Sequence, residues 1–321
     1  MSERLESWTV PVEADRTRVD QYLLRLLPGQ SRSQIQGLIR RGFVRVNNLQ
    51  VKTGYLVKPD DTITCRIPSA PDVLPHPEEI PLNILYRDVD LAVIEKPAGM
   101  VCHLGAGVHS GTVVNALLYN LGPMDTGDPS RPGIVHRLDK TTSGVMVVAR
   151  NVWSHRVLSQ QFKSRKVKKE YVALVYGRPT PPAGTINLPI GRDPHDRKKI
   201  SARARKTRSA VTHYRILEEY SAMTLLQVHI ETGRTHQIRV HLAHKGHPVV
   251  GDALYGGSWE RGLSPELRSE IRNLNRVFLH AHRLELLHPR SGEILSFTSP
   301  LPRELDEFLA SLRTLERGSV R

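Results

Sequence analysis

GIVHRLDKTTSG, residues 133–144, runs from a short apolar lead into His136, Arg137, Asp139 and Lys140, and leaves through polar turn residues. Taken alone it supports two readings. One is a salt-bridged surface turn in which Arg137 or Lys140 neutralises Asp139; the other is a loop that presents Asp139 as a reactive carboxylate. Arg137 and Asp139 are two apart, so on an extended segment they project to one face, while His136 and Lys140 point away as supports or phosphate contacts. What surrounds the stretch has to decide between the readings.

Downstream of residue 82, short apolar runs dominate: LAVIEKP, GVMVVAR, YVALVYG, TLLQVHI and RLELLHP read as strands, with helices expected at about 111–120, 151–163, 235–245 and 302–312. Strands and helices do not alternate strictly, which disfavours a doubly wound parallel sheet. The expectation is an α+β domain over 82–321 with a mixed, largely antiparallel sheet and flanking helices. Ahead of it, PSAPDVLPHPEEIP (68–81) carries five prolines, and residues 69–81 are expected to form a stiff, extended linker. Upstream lies a small unit. Asp20 to Leu27 has helical apolar spacing and ends at Pro28-Gly29; Ser31 opens a second helix, with Gln34 completing a capping box and Gly42 as the stop. A strand FVRVNN with an Asn-Asn turn and a closing strand TITCRI follow. This pattern, over residues 15–68, resembles an S4-type RNA-binding domain.

The 321 residues are 39% hydrophobic, ordinary for a globular protein. No apolar run approaches the roughly eighteen residues of a membrane span. The opening MSERLESWTVPVEADR has no apolar core of a secretory signal, so a cytoplasmic protein with Cys65 and Cys102 as reduced thiols is expected. The net charge of +14 is uneven: Lys163 to Arg208 holds fourteen basic residues against Glu170, Asp193 and Asp196. A surplus so concentrated reads as a polyanion-binding surface, the bland alternative being a solvated basic face.

Several familiar devices are missing. There is no GxxxxGK[ST] loop, and GAGVHSG (105–111) has the wrong spacing for a dinucleotide fingerprint, so no nucleotide cofactor is expected. His236, His241, His244 and His247 lack an HExxH or a Cys/His quartet. They read as solvated or phosphate-facing imidazoles, and no metal is expected.

Two further segments weigh on Asp139. KKEYVALVYG (168–177) places Tyr171 at the start of a strand directly after basic residues, where its ring can stack on an unpaired base. GRTHQIRVHLAHKG (233–246) reads as a short helix stopped at Gly246, on which His236, Arg239 and Ala243 share one side and Ile238 and Leu242 another, so that Arg239 points into a site. Together, HRLDKTTSG, KKEYVALVYG and GRTHQIRVH, with LAVIEKPAGMVCH (91–103) ahead of them, resemble the RluA/RluD-type pseudouridine synthases that modify large-subunit ribosomal RNA. With the S4-like unit the resemblance spans nearly the whole chain. It implies that Asp139 is the catalytic carboxylate, Tyr171 the residue against the target base, Arg239 the partner of the aspartate, and Arg137 the side chain that fills the space left by a flipped nucleotide.

Pseudouridine formation breaks the N1–C1′ bond, rotates the uracil and rejoins it through C5. Nothing is oxidised or hydrolysed overall, so no cofactor is required. An ionised carboxylate can act on C1′, on C6 of the base, or as a base toward the sugar. A guanidinium within about 4–6 Å favours a carboxylate's charged form. Flipping a stacked uridine costs a few kcal/mol, which a basic surface helps offset. Lys169, Arg234, His236 and the S4-like residues Arg32, Arg40, Arg41 and Arg45 are the expected RNA contacts. The implied partner is ribosomal RNA, free or in a pre-ribosomal particle, met by a monomer without membrane attachment. Two rivals stand beside this: a non-catalytic RNA-binding or ribosome-assembly protein on the same scaffold, and a metal-dependent nucleoside hydrolase, which needs a second carboxylate or a metal site.

Overall fold

The structure, a computed structural model, describes residues 4–27, 30, 32–67, 74–105, 107–194, 196 and 199–318. The chain divides into two compact units between Leu74 and Pro75.

The first unit contains β1 (Arg4–Thr9), α1 (Val19–Leu26), α2 (Arg32–Arg40), β2 (Val44–Val46), β3 (Leu49–Gln50) and β4 (Thr62–Ile67), with its sheet in the order β1-β4-β2-β3. β1 pairs with β4 along its whole length, ahead of residue 15 where the sequence reading began the unit. The helices bury Val19, Leu23, Ile35 and Ile39 against Val44, Ile63 and Cys65 of the sheet. Asn47 and Asn48 turn β2 into β3 with φ of 48° and 65°, the left-handed pair that a tight hairpin requires. Pro28-Gly29 and the Ser31 cap lie outside the described residues. Asp20, fully buried, accepts from Arg18, Arg32 and Gln36; burial pushes its carboxyl up, but those bonds prevail and hold it near pKa 2.

Residues 69–73 of the Pro-rich stretch also lie outside the described residues. From His76 onward the segment is not a free spacer: Asn115 and Asn120 donate to the carbonyls of His76 and Ile80, both at 2.9 Å. A proline-rich segment still carries carbonyls that need donors, and asparagines supply them here.

The second unit continues with β5 (Asn83–Arg87), β6 (Leu91–Lys96), α3 (Val113–Leu121), β7 (Ser143–Ala149), α4 (Val152–Lys163), β8 (Lys168–Tyr176), β9 (Ala183–Asn187), β10 (Gly191–Arg192), β11 (Ile200–Ser201), β12 (Val211–Glu219), β13 (Met223–Ile230), α5 (Gln237–His244), α6 (Pro265–Leu274), β14 (Leu279–Leu287), β15 (Ile294–Thr298) and α7 (Arg303–Gly318). Its main sheet runs β5-β6-β7-β14-β8-β13-β12-β9, with β15 on β14, and the β7–β14 pairing alone is parallel. The sheet is mixed and largely antiparallel, as the sequence pattern indicates. β7 is buried along its whole length because both faces are covered. Val145, Val147 and Ala149 pack with Leu158 of α4, while Met146 and Val148 pack with Val113 and Leu117 of α3.

That parallel contact explains the last residue of the opening stretch. Gly144 has φ of 121°, and a Cβ there would sit 2.2 Å from the Ala281 carbonyl oxygen on β14. Gly144→Ala is therefore expected to part β7 from β14 and to cost roughly 3 kcal/mol or more by combining strain with overpacking. Urea unfolding of the variant beside the wild type measures it.

Candidate active site

Asp139 sits in the loop that enters β7, and side chains from three directions fix that loop. The His136 Nε2 accepts the backbone N–H of Val147 at 3.0 Å, while its ring stacks on Phe162 at 4.5 Å. The Leu138 carbonyl accepts from the Cys102 thiol at 3.3 Å. The Lys140 carbonyl accepts from Gly99 N at 2.7 Å and from the buried Lys96 ammonium at 3.3 Å. Lys96 spends its other donors on the carbonyls of Pro97 and Met100. Arg137 and Lys140 remain exposed, and Asp139 is partly buried between them.

The carboxylate of Asp139 meets neither neighbour. Its Oδ2 lies 3.3 Å from Nη1 of Arg239 on α5. Arg239 is itself held from the other side: Nε and Nη2 donate to the two oxygens of Asp252 at 2.7 and 2.8 Å. Asp252 is wholly buried, and its Oδ1 also accepts the backbone N–H groups of Leu254 and Tyr255. Burial opposes the Arg239 charge, but the bonds to Asp252 and the Asp139 charge more than compensate and raise its pKa. Two carboxylates thus share one guanidinium, and only Asp139 is left with an oxygen open to solvent.

His236 completes this side of the site. It caps α5 in the left-handed region with φ of 55°, so it stands outside the helix rather than on a common face with Arg239 and Ala243. Its Nε2 is 3.9 Å from Asp139 Oδ2, and its Nδ1 is 2.9 Å from the Tyr255 hydroxyl. The Tyr255 oxygen also accepts from Ile200 N at 2.9 Å, which ties the imidazole, through Tyr255, to the start of β11. Burial holds this histidine below its ordinary pKa and neutral, although Asp139 pulls the other way.

An open cleft of about 530 Å³ is lined by Arg137, Asp139, Tyr171, Arg234, His236 and Arg239. Burial, and then the Asp139 charge, push the Tyr171 phenol well above its ordinary pKa, so it is a neutral O–H. Thr142 also lines the cleft, and its buried hydroxyl has no hydrogen-bond partner among the described residues. Lys169 lines an adjoining cleft that shares Arg137, Tyr171 and Arg234 with the first.

Residues 90–244 match the RNA pseudouridylate synthase family and residues 17–63 the S4 domain family. A ribosomal large subunit pseudouridine synthase D of Xanthomonas campestris pv. campestris is 42% identical over 311 residues, which are 96% of this chain and 93% of its own. The chain belongs to the RNA pseudouridine synthase family. It is an enzyme that isomerises uridine to pseudouridine. An uncharacterized RNA pseudouridine synthase of Aquifex aeolicus is 44% identical over 290 residues, 89% of this chain and 90% of its own. Among solved structures, human RNA pseudouridylate synthase domain containing 4 matches with a TM-score of 0.56 and 30% identity over 72% of this chain and 93% of that one.

In this synthase the four histidines expected to be solvated or phosphate-facing divide: His244 is exposed, while the other three have protein partners. His241 is fully buried, with Nδ1 2.9 Å from the Thr212 hydroxyl and Nε2 2.9 Å from the Leu188 carbonyl. His247 bonds to the Tyr176 carbonyl. A ring with two edge nitrogens ties a helix to a sheet wherever both find partners. Arg32 is engaged with Asp20 rather than free, whereas Arg40, Arg41 and Arg45 are exposed. Asp252 and Tyr255 escaped the sequence reading; a lone acid after the apolar run PVVG was the one available signal, since such a charge needs a buried partner.

Asp252→Ala leaves the Arg239 guanidinium buried with Asp139 alone, and is expected to cost about 3–5 kcal/mol. Asp139→Ala leaves Arg239 bidentately paired and is expected to cost less than about 1 kcal/mol. Urea unfolding of the two variants tests that order.

Proposed function

We propose that the enzyme converts specific uridines of large-subunit ribosomal RNA to pseudouridine, with Asp139 as the catalytic carboxylate acting on a uridine flipped into its cleft. The observation that carries this reading is the pairing of Asp139 with Arg239 beside Tyr171. A carboxylate held by a guanidinium that Asp252 has already fixed is oriented before substrate arrives. The names of relatives such as the Xanthomonas synthase D supply the choice of large-subunit RNA.

Each side chain has a distinct task. Asp139 acts on the ribose or the base as the N1–C1′ bond breaks. Tyr171 lies against the uracil while it rotates, and as the C5–C1′ bond forms the C5 proton is lost to water. Arg239, with His236 beside it, keeps the carboxylate from turning away between turnovers. Arg137, exposed at the cleft, takes the place of the flipped nucleotide in the RNA. The basic residues between 163 and 208, with Lys169 and Arg234, meet phosphates, and Arg40, Arg41 and Arg45 of the S4 unit add further contacts. Such contacts give affinity that falls steeply with salt.

Forming the C5–C1′ bond expels the hydrogen at C5. With unmodified large-subunit ribosomal RNA tritiated at uridine C5, the wild type is expected to release tritium to water. Asp139→Asn keeps the shape of the side chain and is expected to release it slower by about three orders of magnitude or more, the scale on which losing a reacting group cuts turnover. Tritium release from the Asn variant at the wild-type rate removes Asp139 from the mechanism.

A further inference from the structure

Beside the Asp139 cleft, the second cleft has an empty volume of about 880 Å³ and is walled by the catalytic loop, the turn after α4, and the loop before α5. Three cations face it, Lys169, Arg165 and Arg234, and among the described residues Lys169 and Arg234 have no carboxylate partner. Lys169, on β8, is 7% exposed, and its ammonium makes one long bond, 3.5 Å, to the Glu231 carbonyl. The Glu231 carboxylate is taken by His213 at 2.9 Å and Arg165 at 3.6 Å. Arg234 gives its Nε to the Ser209 carbonyl, leaving the rest of its guanidinium without a carboxylate. Burial, followed by the Arg165 and Arg234 charges, lowers the Lys169 pKa to about 8, and burial together with Arg208 and Arg165 lowers that of Arg234. The nearby His136 is held neutral by burial and by Lys169.

The backbone adds an independent observation. Arg165 occupies the left-handed region with φ of 60°, in the turn that follows α4. Glycine is the usual residue at such a position because a Cβ is disfavoured there. The chain accepts that strain and keeps an arginine at the cleft wall. Strain of this kind, next to a buried ammonium whose one hydrogen bond is a long one to a carbonyl, marks a place built for something other than stability.

We propose that this second cleft is a preformed seat for a phosphodiester group of the RNA strand, adjoining the uridine bound at Asp139, with Lys169, Arg165 and Arg234 as its ligands. The two clefts share Arg137, Tyr171 and Arg234, so a strand with its base in one passes directly over the other. A single anion relieves the mutual repulsion of three cations and matches donors that the fold leaves unmatched. The identity of the strand rests on the synthase reading; the anion seat does not.

The test uses the full chain and inorganic phosphate as the probe, followed by the linewidth of its 31P resonance at constant ionic strength. Lys169→Met and Arg165→Gly are each expected to weaken phosphate binding at least fivefold, while Lys245→Gln, at an exposed lysine outside both clefts, leaves it within twofold. Asp139→Asn is expected to bind phosphate as the wild type does. Urea unfolding is expected to show that neither the Met nor the Gly variant is less stable than the wild type, because one loses a desolvated charge and the other a strained side chain. Phosphate binding unchanged in both variants overturns the seat, and so does a marked loss of stability in both, which assigns these side chains to packing. If the variants discriminate phosphate but no tritium is released from any RNA, the synthase reading falls and the anion seat stands. With active enzyme, Lys169→Met is expected to raise KM for RNA severalfold at nearly unchanged kcat.

Discussion

A guanidinium taken out of water has to be matched on every side, and Arg239 meets that demand with two carboxylates from distant parts of the chain. Asp252 takes two of its nitrogens in a buried, bidentate pair, and Asp139 takes a third. The division of labour follows from burial. Asp252 is sealed and also accepts two backbone N–H groups, so it serves the fold; Asp139 faces the cleft and is free to serve a substrate. Remove the inner carboxylate and the outer one inherits the whole charge. The geometry of the Asp139 carboxylate is therefore set by a residue that does not line the cleft.

The same logic extends to the loop itself. Between Val135 and Gly144 the chain makes little regular structure, yet its carbonyls find donors in Cys102, Gly99 and Lys96, and its histidine accepts from β7. A loop satisfied in this way has few alternatives open to it. Gly144 then lets β7 approach β14 more closely than any side chain permits, which brings Tyr171 on the next strand to the same cleft. Not all polar groups are so matched. Thr142 keeps a buried hydroxyl with no partner among the described residues, and Lys169 and Arg234 keep positive charge without a carboxylate. These three lie at the two clefts, where a ligand can complete them, whereas other unpartnered buried atoms, such as His103 Nδ1 and Arg150 Nε, lie elsewhere.

Much of this was legible from residue order. The apolar runs at 91–97, 144–150, 171–177 and 224–230 carry the strand signal because both faces of a covered sheet need apolar side chains, and the Asn47-Asn48 turn is written in a residue type that, unlike most besides glycine, takes its dihedrals at little cost. HRLDKTTSG, the strand with Tyr171 and the helix with Arg239 marked the site by their resemblance to a family. The histidines were harder. His241 and His236 are five apart in one segment, yet one is sealed against Thr212 while the other caps the helix and faces Asp139. Helical periodicity assumes that the helix has begun, and at His236 it has not.

The sequence by itself determined the composition of each element, the turns that glycine and asparagine permit, and which residue types are present to do chemistry. Only the tertiary structure decided which charges meet. Arg137 and Lys140 are the nearest cations to Asp139 along the chain, but Arg239 is the one that pairs with it, 100 residues away in sequence. Asp252, Tyr255 and the ring of cations around Lys169 likewise acquire meaning only once β8, β13 and α5 lie side by side. The reason is physical: local propensity depends on neighbours within a few residues, whereas an ion pair depends on distance and burial, which the packed chain alone supplies.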